Sequence, residues 1–260
     1  MRELTVEQKD RLLQITLNRP EKRNALTCDM CTGLAQAVNE AQKREDIGAI
    51  FVCAAGQVFC AGMDLDEALL PHHNLAAAHE DLFTMGAHSV KPIVMCVNGP
   101  ALGGGLGLVA QSHVAVAAQS AVFGLPEIRI GLWPFLVYRA VEAALGARRT
   151  LELSLTGRVF QASEALHAGL IQMTCPPDEV CDRANVIARD IAKASPRTVA
   201  AGMQYYLGSR GKSSVDAGEL AAALRTELMA SGDFEEGRAA FKAKREPRWP
   251  SMPPGFYERQ

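Results

Sequence analysis

Apolar and polar positions change their period several times along this chain, and each change predicts an element. Leu13, Ile15 and Leu17 alternate with Gln14 and Thr16, the pattern of a half-buried strand, and Asn18-Arg19-Pro20 turns the chain. Thr27 caps a predicted helix that carries Asp29 in its first turn and buries Met30, Leu34, Ala37, Val38 and Ala41 along one stripe. Ala49 to Ala54 is continuously apolar, as a strand covered on both faces would be. The stretch from Gly56 to Leu65 then breaks at small residues into a further helix. Residues 75–87 read as a surface helix with Leu75, Ala78, Leu82, Met85 and Gly86 on one side.

Pro92 to Val97 is again apolar, and after Asn98-Gly99-Pro100-Ala101-Leu102-Gly103-Gly104-Gly105 the apolar pattern resumes from Leu106 to Ala110. This predicts a strand turning sharply into a helix. His113 to Ala118 is the next strand, and Val122 to Pro134 is irregular, with one acid, Glu127, among apolar neighbours. Leu136 to Leu145 and Arg149 to Leu155 have helical spacing. Ser163 to Ala168 is a short helix stopped by Gly169, and Leu170 to Thr174 is extended. A helix over Asp178 to Ala194 sets Val180, Ala184, Ile187, Ala188 and Ile191 on one stripe and closes at Ser195-Pro196. Three more helices follow, over Val199–Leu207, Val215–Met229 and Asp233–Arg245, the last opened by Asp233 and Glu236 in the spacing of a capping box. The expected division is a mixed α/β body over residues 1–195 and a helical region over 196–260 that packs on a partner subunit.

The glycine cluster carries the first chemical signal. Glycines leave the main chain open to a ligand, and the free N–H groups at a helix N-terminus sit where partial positive charge collects, so the turn can hold an oxyanion. Two other readings compete: a connection needed only for close helix–sheet packing, and a dinucleotide site, since Gly105 to Ala110 fits G-x-G-x-x-G/A. Against the latter, the turn comes late in the chain and no acid ends a strand roughly twenty residues on.

Composition narrows the classes. With 260 residues, 48% hydrophobic and 22% charged, the chain is that of a soluble globular protein. Its N-terminus lacks the basic start and apolar core of a secretory signal, and no apolar run approaches a membrane span. A net charge of −2 excludes general nucleic-acid binding, which needs a basic face. The seven cysteines are scattered, so reduced thiols and a cytoplasmic location are expected. Cys28 and Cys31 form one C-x-x-C pair with no second pair to complete a zinc site. Histidines 72, 73, 79 and 88 cluster near one helix without H-E-x-x-H spacing, and no metal is expected.

Three motifs together resemble the signatures of the crotonase (enoyl-CoA hydratase/isomerase) family. They are Phe59-Cys60-Ala61-Gly62-Met63-Asp64; Val97-Asn98-Gly99 with Gly103-Gly104-Gly105; and Phe123-Gly124-Leu125-Pro126-Glu127 with Ile130-Gly131. The likeness runs from about Leu12 to Arg245 and includes Leu155-Thr156-Gly157 and the stretch from Ala165 to Leu170. It implies an α/β fold, a spiral of ββα repeats with a helical C-terminal region, assembled as a homotrimer or homohexamer. It also implies an acyl-CoA thioester substrate, with coenzyme A carried by the substrate and no separate cofactor. In such a site the N–H groups of Ala61 and Gly104 would form the oxyanion hole, while Asp64 would be mainly structural at the edge of the substrate site.

Family hydratases use two glutamates. Glu127 matches the second, but Gly107 stands where the first is expected, and glycine neither orients water nor holds a proton. One acid with an oxyanion hole suits an isomerase. Glu127, its basicity raised by apolar Leu125, Trp133 and Phe135, would take a proton from the carbon next to the thioester and deliver it to the third carbon along. The bulky Leu132-Trp133-Pro134-Phe135 segment, where hydratases show Gly-Gly-Thr-Gln-Arg, fits that reading. Phe135 stands near where related aryl-CoA dehalogenases place a nucleophilic aspartate, which argues against that chemistry. Lys22 or Arg23 would lie near the coenzyme phosphates or adenine, and Phe241 and Lys244 would reach the coenzyme of a neighbouring subunit. A hydratase, and a non-catalytic acyl-CoA-binding trimer, are the alternative readings.

Overall fold

A computed structural model describes residues 3–68 and 75–258. The chain opens with a hairpin, β1 (Leu4–Lys9) and β2 (Leu12–Leu17), and a one-turn 3-10 helix (Pro20–Lys22) leads to α1 (Cys28–Gln42). After β3 (Ala49–Ala54) come α2 (Leu65–Ala68), α3 (Leu75–His88), β4 (Ile93–Val97), β5 (Ala101–Leu102) and α4 (Gly104–Gln111). Then follow β6 (Val114–Ala118), β7 (Val122–Gly124), a 3-10 turn (Pro126–Ile130), α5 (Phe135–Leu145), α6 (Ala147–Thr156), β8 (Val159–Gln161), α7 (Ala162–His167) and β9 (Met173–Cys175). Helices α8 (Val180–Lys193), α9 (Pro196–Gly208), α10 (Ser214–Met229) and α11 (Gly232–Ala243) complete it.

Two sheets stack along one axis. The larger has the order β1-β2-β3-β4-β6-β9, antiparallel at β1–β2 and parallel thereafter; the smaller has the order β5-β7-β8. An isolated parallel bridge, Cys60 to Ala101, extends the smaller stack by one more level. Each turn of the chain thus places one strand in the large sheet, one in the small stack and then a helix: β3, Cys60, α2; β4, β5, α4; β6, β7, α5. This is the expected spiral of ββα repeats, and its core is the unbroken apolar filling of β3 and β4 (Ile50, Phe51, Val52, Ile93, Val94, Met95) against Leu34, Val38 and Ala188.

Several elements depart from the sequence reading. Strand β1 was not predicted because it is polar and exposed; it exists by pairing with β2 through the left-handed Asp10 (φ 54°). Strands β7 and β8 are three residues each, too short for periodicity to show. Helix α11 is capped by Ser231, whose side chain accepts from the Phe234 N–H, rather than by an Asp233–Glu236 box. Asp233 is buried instead, accepting hydrogen bonds from the Ser195 and Ser251 hydroxyls and the Ser251 N–H, so it ties α9, α11 and the C-terminal segment together. Helix α3 is not a surface helix throughout: Leu82 and Met85 are buried, and so is His79. His72 and His73 lie outside the described residues. Among the described residues no cluster of three or more metal-ligating side chains occurs, and no helix is long and apolar enough to cross a membrane. All seven cysteines are free; Cys31 is buried on α1, and burial pushes its thiol up.

Candidate active site

Three consecutive turns of the spiral leave the small stack at the same point. The link after Cys60 carries residues 61–64, the link after β5 carries Gly103 and Gly104, and the link after β7 carries Glu127. Together they wall a cavity of about 410 Å³ whose further lining includes Leu26, Phe83, Trp133, Phe135 and Val137. Large side chains from α5 and α3 therefore close the apolar side, and backbone supplies most of the polar side.

The backbone donors follow from the way residues 61–64 are pinned. Asn24, left-handed (φ 52°) and buried, accepts from the Arg19 N–H and donates from Nδ2 to the Ala55 and Val58 carbonyls. This holds residues 24–26 beside the 55–63 segment. Leu26 and Met63 then form a parallel bridge in which the Leu26 N–H donates to Gly62 O at 2.7 Å and the Asp64 N–H donates to Leu26 O at 3.0 Å. A strand residue flanked in this way points its own N–H to the opposite side. The Met63 N–H accordingly has no backbone acceptor among the described residues, and it belongs to a residue lining the cavity.

This corrects the expectation for Ala61. Its N–H is already spent on the Arg23 carbonyl at 3.0 Å, so it is not free for a ligand, and the donor on this link is Met63. Gly104 is the first residue of α4, where an N–H has no intrahelical partner. Gly62 (φ 101°) and Gly104 lie against each other, a Cβ on Gly62 falling 3.4 Å from the Gly104 nitrogen. The two free donors thus sit on touching turns.

Glu127 occupies the 3-10 turn after β7, and its Oε2 is buried with no hydrogen-bond partner among the described residues. Burial raises its pKa above the usual carboxylate value, partly offset by its own backbone N–H. Its other oxygen lies over Gly103, where a Cβ would stand 2.9 Å from Oε1. Gly103 (φ 52°, ψ −117°) has a conformation that essentially only glycine adopts. It both turns the chain and leaves room for the carboxylate.

Gly107 faces the opposite wall. A Cβ there would lie 2.5 Å from Val137 Cγ1 and 3.0 Å from Phe83 Cε1. The place of a first glutamate is filled by these side chains, so no second carboxylate enters from α4.

Other predicted site residues go elsewhere. Asp64 is engaged by the Arg19 guanidinium at 2.6 Å, and its other oxygen caps α2, accepting from Asp66 and Glu67 N–H; it does not line the cavity. The Arg19 hydrogen bond holds its carboxyl below the ordinary range. Lys22 is exposed and 3.7 Å from Asp66, Arg23 is exposed, and neither lines the cavity. Phe241 (86% exposed) and Lys244 sit at the end of α11, also outside it. Trp133, stacked on Tyr138, and Phe135 do line it. The sequence reading missed Met63, His79, Phe83 and Val137. Helical spacing from Leu82 would have flagged His79 and Phe83 as one face of α3, but nothing in the sequence says which N–H of a turn is free.

Comparison with known proteins agrees with the fold. The sequence pattern of the enoyl-CoA hydratase/isomerase family matches residues 7–252. The enoyl-CoA hydratase domain-containing protein 3, mitochondrial, of Rattus norvegicus is 32% identical over 93% of this chain and 82% of its own length. A mevalonyl-coenzyme A hydratase of Aspergillus fumigatus is also 32% identical, over 92% of this chain and 91% of that protein. The crystal structure of an enoyl-CoA hydratase from Mycobacterium smegmatis superimposes with a TM-score of 0.89 at 27% identity, covering 96% of this chain and 99% of that one.

Proposed function

This chain belongs to the enoyl-CoA hydratase/isomerase family, whose members act on acyl-CoA thioesters, and from that premise we propose that it is a 3-enoyl-CoA to 2-enoyl-CoA isomerase. The observation that carries the reading is the pairing of a carboxylate with one partnerless buried oxygen, Glu127 Oε2, with a filled position 107. The thioester oxygen accepts from the Met63 and Gly104 N–H groups. Glu127 in its ionised form removes a proton from carbon 2; the electron pair moves onto the thioester oxygen as a dienolate; and the same carboxyl returns the proton at carbon 4, shifting the double bond. Fixed backbone donors stabilise the developing negative charge, an effect worth roughly a hundredfold to a thousandfold in rate for each donor. A carboxylate in an apolar cavity is a stronger base than one in water, which suits a group that must take and then give back one proton.

Further features support the rest of the reading. The exposed Phe241 and Val215 on α11 and α10 favour assembly as a trimer or hexamer, in which Phe241 and Lys244 meet a neighbour's coenzyme. Seven free thiols favour a reducing, cytoplasmic setting.

A paired assay tests the function. Conversion of a 3-enoyl-CoA to its 2-enoyl isomer is expected to be fast and hydration of a 2-enoyl-CoA negligible. Fast hydration would establish the hydratase reading instead and show that a water is held without an acid at position 107.

A further inference from the structure

Of the polar side chains that line the cavity and that the isomerisation does not use, Arg129 is exposed and one is buried. His79 on α3 is only 4% exposed, lines the cavity, and has an Nε2 with no hydrogen-bond partner. Its neighbour one turn on, Phe83, fills the same wall with its ring centroid 6.0 Å away and no polar atom to satisfy. A buried ring nitrogen left without a partner is unfavourable, so phenylalanine would serve packing at position 79 better than histidine does. The contrast with His113 is instructive. That residue also has a partnerless Nε2, but its Nδ1 accepts the Ile93 N–H at 2.9 Å, which gives it a structural task. His79 has no such bond.

We infer that His79 is a specificity-determining residue, whose imidazole hydrogen-bonds an uncharged oxygen on the acyl chain, and that the preferred substrates are acyl-CoAs bearing a hydroxyl or keto group beyond the reacting carbons rather than plain hydrocarbon chains. The inference rests on the acyl-CoA reading of the cavity. Burial disfavours the charged imidazole, so the ring is neutral and can both donate and accept. That matches a hydroxyl or a ketone, and the ring itself offers no charge to a carboxylate, the positive charge on the lining coming from the exposed Arg129. A cavity built to bond a substrate oxygen discriminates strongly against the analogue that lacks it, because its own polar group is then left buried and unpaired.

Equilibrium binding tests this without turnover, using saturated thioesters that the enzyme cannot isomerise. Hexanoyl-CoA is compared by titration calorimetry with 5-oxo-, 5-hydroxy- and 6-hydroxyhexanoyl-CoA, on the unmodified chain and on His79→Phe and His79→Asn. The wild type is expected to bind at least one oxygenated chain about tenfold more tightly than hexanoyl-CoA. His79→Phe should abolish that preference and tighten hexanoyl-CoA, and His79→Asn should keep part of it. Tightest binding of hexanoyl-CoA by the wild type, or an unchanged preference in His79→Phe, overturns the inference. Should His79→Phe not fold, the wild-type ratios and His79→Asn decide. Failure of all four thioesters to bind overturns the acyl-CoA reading, and this inference with it.

Discussion

A Cβ on Gly107 would lie 2.5 Å from Cγ1 of Val137, so α4 and α5 are in contact at the point where a second acid would have to enter the cavity. Gly107→Glu therefore does not create a hydratase; it forces the two helices apart. Even Gly107→Ala is expected to destabilise by about 1–3 kcal/mol through overpacking, and pairing it with Val137→Ala, which removes Cγ1 but keeps the Cβ 2.9 Å away, should recover part of that loss. Urea unfolding of the two single variants and the double variant measures the coupling. Additive effects would mean that the contact does not matter.

Glu127→Gln should lower isomerase turnover by about a hundredfold to ten-thousandfold while leaving acyl-CoA binding nearly intact, since it removes the base and keeps the shape. A variant with wild-type rates ends the proposed mechanism. Single-turnover measurements with a 3-enoyl-CoA, beside calorimetry of a saturated analogue, separate chemistry from binding.

The same carboxyl predicts two pH effects. Its folded pKa is raised, so the acid limb of kcat/KM should have its midpoint above the ordinary glutamate value of about 4.3. As pH rises from the unfolded value through the raised folded value, the unfolded chain ionises first and native stability is lost. Glu127→Gln should consequently be more stable than wild type at neutral pH, with the difference vanishing below the ordinary carboxylate range. Thermal melts across pH 4–8 read the sign directly.

Asp64 has the opposite sign. Arg19 lowers its folded pKa, so its contribution is present above the unfolded value and disappears as pH falls through the folded one. Asp64→Ala removes a helix cap and leaves Arg19 (side chain 14% exposed) with Glu3 as its remaining carboxylate; a loss of about 1–3 kcal/mol is expected at pH 7, shrinking in acid. Because Asp64 adjoins Met63, turnover should also fall. Chemical denaturation at two pH values, with the isomerase assay, checks both.

Much of the site was legible before any coordinates. Glu127 and the triple glycine announce themselves because an acid in an apolar stretch and three residues without side chains both break the local pattern. Strand β3 was legible to its ends for the same reason, six apolar residues in a row. What escaped was set by hydrogen bonds between distant segments. Ala61 and Met63 are alike as sequence; only the pairing of residues 62–64 with Leu26 and the bond from Ala61 to Arg23 decide which N–H is left without a backbone acceptor. His79 escaped because the segment from Leu75 reads as a surface helix, and its burial depends on α3 packing against α4 and α5.

The smaller stack has a further consequence. Cys60, β5 and β7 are neighbouring rungs, so the groups that follow them inherit the separation of hydrogen-bonded strands, about 4.8 Å per step. The distance between the two N–H donors is consequently a property of peptide geometry, not of any side chain. Met63, His79, Phe83 or Val137 can therefore be exchanged without changing the spacing of the two N–H groups that we propose as donors to the thioester oxygen.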